Sequence, residues 1–341
     1  MTHPFPLDGL GEILDAMRDR RVLVVGDWIA DEYIFGETSR VSREAPVLII
    51  RHVGRKIIPG GAGNAVLNLR ALGAQPIPIG VIGAGTAAAE VIDELDRRGI
   101  DSGGVLRDPG RETIRKTRVM AGGPHGQKQQ VLRIDREDPV PLSASVEDRL
   151  REAVRSRITG VHAILLSDYG YGTIAPSVRD EILRVARERR VPVCADSRYD
   201  LRAFRGVTYA TPNEPEAEAL WGRPIRDPAD LRRAAEDLRG ELDAEFLLLT
   251  RGREGMAIAE RSGDFHEIPV WGTAEAADVT GAGDTVAAVS LLAIASGASP
   301  RDAARLATVA AGIVVQKHGA ATTSPEEIES VAGIVRKSPR A

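Results

Sequence analysis

Residues that could do chemistry concentrate in Asp278-Val279-Thr280-Gly281-Ala282-Gly283-Asp284, which is small, Gly-rich and acidic. The apolar run Thr285–Ala293 follows at once. The pair reads as a tight loop feeding the N-terminus of a buried helix. Gly281 and Gly283 allow the backbone to turn so that N–H groups converge, and the positive end of the helix dipole lies there. That makes an anion site, in which a carboxylate would only compete with the anion. Asp284 makes sense there if it takes a proton from an attacking hydroxyl while the N–H groups hold charge on a transferring phosphoryl group. The bland alternative is an N-cap aspartate on an ordinary loop. A bare Gly-x-Gly would favour the cap, but seven positions of this composition, with the motifs below, favour the chemistry.

A second Gly-rich stretch, Pro59-Gly60-Gly61-Ala62-Gly63-Asn64, feeds the helical segment Ala65–Gly73. Close backbone approach and an exposed Asn64 amide suit hydroxyl recognition; the alternative is a tight turn with helix packing. The uninterrupted buried strand Val22–Asp27 ends in Asp27, with Asp31 just beyond it, where open α/β sheets bind ligands. From that stretch alone, a turn or helix cap is an equal reading. Asn213 and Glu216 open a helix at a spacing that faces them to one side. The strand Glu245–Thr250 ends in Arg251-Gly252-Arg253-Glu254-Gly255.

These groups need a scaffold. From about residue 140, strands and helices alternate regularly (Ala163–Gly170, Ala175–Arg189, Val191–Asp196, Val207–Thr211, Pro228–Arg239, Glu245–Thr250), which predicts an α/β fold with a doubly wound, mostly parallel sheet covered by helices on both faces. Leu7–Arg20 and Ala87–Arg98 are expected helices. Inserts at about 32–58 and 110–136 break the rhythm, with strands expected at Tyr33–Phe35, Val47–Val53, Thr113–Met120 and Gln129–Asp135. They flank the second Gly-rich stretch, so they are placed together as a small β lid over the site. Residues 1–341 read as one domain carrying that lid.

Composition narrows the function. The 341 residues are 43% hydrophobic and 28% charged, with a formal charge of -4. No Lys/Arg run suggests a nucleic-acid groove, and 4% aromatic residues leave few stacking platforms, so no nucleic acid is expected. The apolar stretches are too short for a membrane span, and Met1–Leu14 lacks the layout of a signal peptide. One cysteine, Cys194, excludes an internal disulfide and a Cys-based zinc site, reads as a core residue, and fits a reducing cytoplasm. His125, in the loop 121–128, has no metal-ligand spacing and receives no role.

Asp278–Asp284, Pro59–Gly73 and the Asn213/Glu216 pair together resemble the PfkB/ribokinase family of carbohydrate kinases, from Val22 to about Glu327. The resemblance implies a ribokinase-like fold and transfer of the γ-phosphoryl group of ATP to a sugar hydroxyl, with Mg2+. It implies Asp284 as catalytic base and the Gly281, Ala282 and Gly283 amides as its anion hole. Gly60, Gly61, Asn64 and Asp31 match sugar-binding positions, to which Asp27 is added as a substrate-side carboxylate. Asn213 and Glu216 match the pair that positions Mg2+ and phosphates through water. Thr250 and Gly252, with Gly255 beyond them, match the strand end beside the nucleotide. Asp278, Thr280, Gly319 and Thr323 match a monovalent-cation (K+) site. The lid implies a homodimer contact.

Within the family, the chain is most similar to the kinases of D-glycero-D-manno-heptose 7-phosphate. The similarity lies in Thr38–Val47, Lys116-Thr117-Arg118, Gln129–Asp135 and Ser167-Asp168-Tyr169. Arg40, Arg118 and Arg133 would then meet phosphate or hydroxyls; the alternative is surface ion pairs. Two positions depart from the pattern. Tyr171 stands where those kinases carry Lys after Asp-Tyr-Ala, and Asp196-Ser197-Arg198 replaces Asp-Pro-Lys. A chain ending near 341 leads us to expect no nucleotidyltransferase half. Other readings are a kinase of an unphosphorylated sugar or nucleoside, a non-catalytic sugar- or nucleotide-binding regulator, and a nicotinamide-linked dehydrogenase. Against the last, the first strand lacks Gly-x-Gly-x-x-Gly.

Overall fold

The computed structural model describes residues 9–123, 128–137, 140–272 and 276–333, so the loop position His125 lies outside it. The strand β1 (Arg21–Gly26) lies inside a nine-stranded sheet. On one side come β4 (Gln75–Gly83) and β5 (Val105–Asp108); on the other come β8 (Ala163–Asp168), β9 (Val193–Ser197), β10 (Tyr209–Ala210) and β11 (Phe246–Thr250). These seven run parallel. The hairpin β12 (Met256–Glu260) and β13 (Phe265–Ile268) closes the far edge antiparallel. The doubly wound expectation holds.

Strand residues alternate between two cores, which is why Val22–Val25 is apolar throughout. Val22 and Val24 join α2 (Ala62–Ala71), α3 (Thr86–Arg97), α8 (Ala282–Ala295) and α9 (Pro300–Val314) on one face. Leu23 and Val25 join α4 (Ala144–Arg157), α5 (Pro176–Arg189) and α7 (Pro228–Leu242) on the other. The chain leaves β1 toward β4 on one side and returns through β8 on the other. The carboxyl ends of β1 and β8 therefore flank a topological switch point, the place where open α/β sheets leave a crevice.

A second sheet, ordered β3-β2-β6-β7, stands over that crevice. It comprises β2 (Trp28–Val41), β3 (Leu48–Gly61), β6 (Ile114–Gly122) and β7 (Gln129–Arg136). The expected lid strands exist, but β2 and β3 have 14 residues each. They mix charge and apolar side chains with no clean alternation, because much of this ladder is exposed on both faces. Three elements differ from expectation. β5 was not anticipated. Pro59-Gly60-Gly61 ends a strand rather than forming a loop. Nor was α10 (Pro325–Ala332), opened by a capping box of Ser324 and Glu327, among the expected helices. No described helix is long and apolar enough to cross a membrane.

Candidate active site

A cavity of about 530 Å³ lies between the carboxyl ends of the main sheet and the lid. Asp284 is the third residue of α8 and is buried, 4% exposed. Its Oδ2 accepts from Asn64 Nδ2 at 2.8 Å, and its Oδ1 accepts from the Tyr169 hydroxyl at 2.7 Å. Gly281, with φ +79°, lets α2 and α8 meet here: a Cβ at that position would lie 2.3 Å from Asn64 Nδ2. Behind this contact the polar seam continues, with Asn68 Nδ2 donating to the Asn64 carbonyl and Thr285 Oγ1 to Asn68 Oδ1. Burial pushes Asp284 up to about 6, against the pull of its two donors and with the Asp31 charge adding to the rise.

Gly281 and Gly283 line the cavity, and their N–H groups have no partner among the described residues. Ala282 differs from the anion-hole expectation: its N–H donates to the Val279 carbonyl at 3.2 Å. The helix-entrance donors facing the cavity are thus those of the glycines, where the dipole also favours an anion.

Asn213 and Glu216 line the same cavity and form a reciprocal capping box on α6 (Glu214–Trp221). Asn213 Oδ1 accepts the Glu216 N–H, and Glu216 Oε2 accepts the Asn213 N–H, both at 2.9 Å. The cap fixes both side chains and leaves Glu216 Oε1 without a protein partner among the described residues. Thr250 and Gly252 stand beside them at the end of β11. Gly255 does not line the cavity. Its carbonyl closes the turn onto Arg251 N–H, and a Cβ there would strike the Ile268 carbonyl at 2.0 Å. Asp278 receives N–H groups from Thr280 (2.9 Å) and Gly319 (2.9 Å), which ties three of the four expected cation-site residues together. Thr280 also lines the cavity, while Thr323 is buried away from it.

The lid wall is charged. Arg118 pairs with Asp31, and both are nearly buried. Asp31 lies in β2 between Ile58 and Lys116, not in the turn after β1. Gly60 touches it from the next strand, where a Cβ would meet Asp31 Oδ2 at 2.2 Å. Gly60 therefore makes room for a carboxylate and does not itself line the cavity; Gly61 does. Arg133 lines it too and is held by both oxygens of Asp135 at 2.7 and 2.6 Å. Arg40 is exposed on the lid and lies outside the lining.

Two expectations about binding carboxylates and amides are corrected. Asp27 is turned into the fold, 1% exposed, and accepts N–H groups from Tyr169, Tyr171 and Thr173 at 2.8, 3.0 and 3.1 Å. With three donors on two oxygens it shapes the turn after β8 rather than holding a ligand. Asn64 is 0% exposed, because α2 begins at Ala62 and carries it inward. Its amide orients Asp284 and offers no exposed surface.

Sequence reasoning gave no role to Lys116, Asp168, Tyr169, Asp196, Arg198 or Thr211, all of which line the cavity. Their common signal is position: most sit at the carboxyl ends of β8, β9 and β10. Burial and the carboxylates of Asp284 and Glu216 push Asp196 up to about 8. Burial raises Asp168, which accepts from the Ser197 hydroxyl at 2.8 Å. Lys116 is 6% exposed, and its Nζ lies 3.9 Å from the nearest carboxylate, Glu137. Burial and the nearby charges of Arg198 and Arg133 lower its pKa. The donors, carboxylates and cations separate into a polar side at α6 and β11, the glycine amides at the entrance of α8, and a cationic lid wall, with Asp284 between them.

Over residues 19–327 the sequence matches the pfkB family of carbohydrate kinases. Bifunctional protein HldE of Geobacter metallireducens is 42% identical over 312 residues, 91% of this chain and 62% of the relative. Bifunctional protein HldE of Trichlorobacter lovleyi is 42% identical over 309 residues, 90% of this chain and 62% of the relative. The chain thus spans 62% of the length of these relatives. Phosphofructokinase-2 from Escherichia coli, solved with substrates and products, superimposes with a TM-score of 0.75 at 17% identity, covering 92% of this chain and 98% of that one. Arabidopsis thaliana ribokinase, complexed with ribose and ATP, gives 0.69 at 19% identity, covering 93% and 100%. At these identities the solved structures speak for the fold alone.

Proposed function

We propose that this chain, which belongs to the pfkB family of carbohydrate kinases, transfers the γ-phosphoryl group of ATP to a sugar hydroxyl, and that its acceptor is a sugar phosphate such as D-glycero-D-manno-heptose 7-phosphate. One observation carries the reading: a buried carboxylate, Asp284, is held by two donors at a helix N-terminus, facing a cavity of about 530 Å³ that Asn213, Glu216 and Arg118 also line. In this reading Asp284 takes the acceptor's proton as the hydroxyl oxygen bonds to the γ-phosphorus. The Gly281 and Gly283 N–H groups stabilise the charge on the transferring group. Asn213 and Glu216 have the donor chemistry to hold Mg2+ through water, and Thr250 and Gly252 border the nucleotide. When bound, Mg2+ neutralises phosphate charge. Asp278, Thr280 and Gly319 form a polar loop suited to K+, with Thr323 near it in sequence. Asp31 and Arg118 fit acceptor hydroxyls.

The phosphorylated acceptor is supported by the lid wall. A buried ammonium whose nearest carboxylate, Glu137, is 3.9 Å away, and which sits beside Arg133 and Arg198, gains from an anion that joins it. Lys116 thus supplies a cation near the position where Tyr171 stands instead of Lys; its Nζ is 5.7 Å from the ring centroids of both Tyr169 and Tyr171. We further read the chain as one kinase domain with a lid that excludes water and pairs two copies, working in the cytoplasm, where ATP is available.

A coupled ADP-release assay over heptose and hexose phosphates, the free sugars and nucleosides, with and without K+, tests this reading. Turnover with phosphorylated sugars, lost by about 10²–10⁴-fold in Asp284→Asn with ATP affinity retained, is expected. Near-normal turnover in that variant refutes the base.

A further inference from the structure

We propose that Tyr169 is a positioning residue for the proton-abstracting carboxylate: its hydroxyl holds Asp284 Oδ1 in the ionised, acceptor-facing state, and Asp27 holds Tyr169 in place. This inference rests on the kinase reading above and adds a residue to it. The geometry is a relay from the scaffold to the reacting atom. Asp27, at the end of β1, takes the Tyr169 N–H at 2.8 Å and two further N–H groups of the same turn. That fixes the backbone from which the phenol reaches Asp284 at 2.7 Å. Asn64 fixes the other oxygen at 2.8 Å, so neither carboxylate oxygen is free to rotate. The phenol ring is itself flanked by cations, with the Arg198 guanidinium 5.0 Å and Lys116 Nζ 5.7 Å from its centroid.

A phenol donating to a carboxylate stabilises the charged form of the acid. Asp284 Oδ1 keeps a second lone pair for the acceptor hydroxyl. When that hydroxyl attacks, its proton passes to Asp284, its oxygen bonds to the γ-phosphorus, and the bond to the β–γ bridging oxygen breaks to release ADP. Losing the phenol hydroxyl leaves Asp284 with one donor against burial. Of the charged groups around it, Asp31 from the lid and Arg198 from the end of β9 act on it directly; Lys116, Arg118 and Arg133 from the lid, Asp168 from β8, Asp196 from β9 and Glu216 from α6 line the same cavity, while α2 offers only neutral Asn64. Burial outweighs the Arg198 charge in setting the Asp284 proton affinity.

The test is the pH profile of kcat/KM for Tyr169→Phe, which keeps the ring between the two cations. The plateau should fall roughly 10- to 100-fold, the scale of one hydrogen bond to a charged group, with KM for ATP unchanged. The acid limb should move to higher pH. A ring-fluorinated tyrosine at position 169, a stronger donor, should move the limb to lower pH, and it serves if the Phe variant does not fold. A uniform loss at every pH with an unmoved limb in either variant overturns the proposal, because a packing role alone gives that result. Near-normal turnover in Asp284→Asn instead overturns the kinase reading. If Asp284→Asn is dead and the limb stays put, only the role of Tyr169 falls.

Discussion

A carboxylate that must take a proton works best when its pKa lies a little below the working pH. Asp284, raised to about 6 by burial, meets that condition. In the kinase reading, kcat/KM should fall by about tenfold per pH unit below about 6 and flatten above it; an acid limb near 4, the range of an ordinary aspartate, would contradict the assignment. The same raised pKa destabilises the fold. A carboxyl that binds its proton more tightly when folded lowers stability as pH rises from its unfolded value of 3.8 to about 6, and the loss persists above. Asp284→Asn should therefore melt higher than the parent at pH 8, and the gap should close toward pH 4. A parent as stable as the variant at pH 8, by thermal unfolding, would remove the argument. Asp284 and the Asn213/Glu216 pair were legible in the sequence because each motif is local: the spacing alone puts the groups at a helix start. Tyr169 and Asn64 were not legible as partners of Asp284, because the bonds join α8 to the β8 turn and to α2. Nothing in the local pattern of either segment encodes them.

Elements decide which of two polar residues faces a ligand and which holds the scaffold. Asp27 and Asp31 looked alike as carboxylates following an apolar strand. β1 ends at Gly26 and β2 starts at Trp28, so a single residue, Asp27, separates them and turns inward. Asp31 then lies within the lid ladder. Asp27→Ala would strand three N–H groups of the 169–173 turn. Unsatisfied buried donors cost about 1–3 kcal/mol each, so a loss on the order of 3 kcal/mol in urea unfolding is expected, and Asp27→Asn should cost less. A loss within experimental error for Asp27→Ala would show the turn does not need it. Gly60→Ala tests the lid ladder. Its Cβ would press on Asp31 and disturb the Arg118 pair, so acceptor KM should rise several-fold while KM for ATP stays fixed; a rise in both would place the damage in the main sheet. The paired 14-residue strands were only partly legible, since charged residues on both faces of an exposed ladder hide the period-two pattern. The apolar strands of the main sheet were legible because both their faces are buried.

At the scale of the molecule, the lid poses a problem that the main sheet does not. Its edge strands are β3 and β7, and its ladder extends beyond the cavity it covers. Large apolar side chains remain exposed on it: Leu132 at 53% and Ile134 at 49% on β7, with Val41, Leu48 and Val53 on β2 and β3. Exposed edges and clustered apolar groups invite pairing. Alternation along β7 puts Leu132 and Ile134 on the face opposite Arg133, which lines the cavity. A second copy on that outer face would cover the apolar groups without entering the site, and would stiffen the strand that carries Arg133. This is the physical basis for the proposed lid-mediated homodimer. Light scattering should find a dimer for the parent chain and a monomer for the double variant Leu132→Glu and Ile134→Glu. Because the covered strand also carries Arg133, the monomer should need more acceptor to reach half-maximal rate while its use of ATP is unaltered. A parent chain that is monomeric, or a double variant that remains dimeric, would assign the exposed lid face to some other role and uncouple the acceptor wall from assembly.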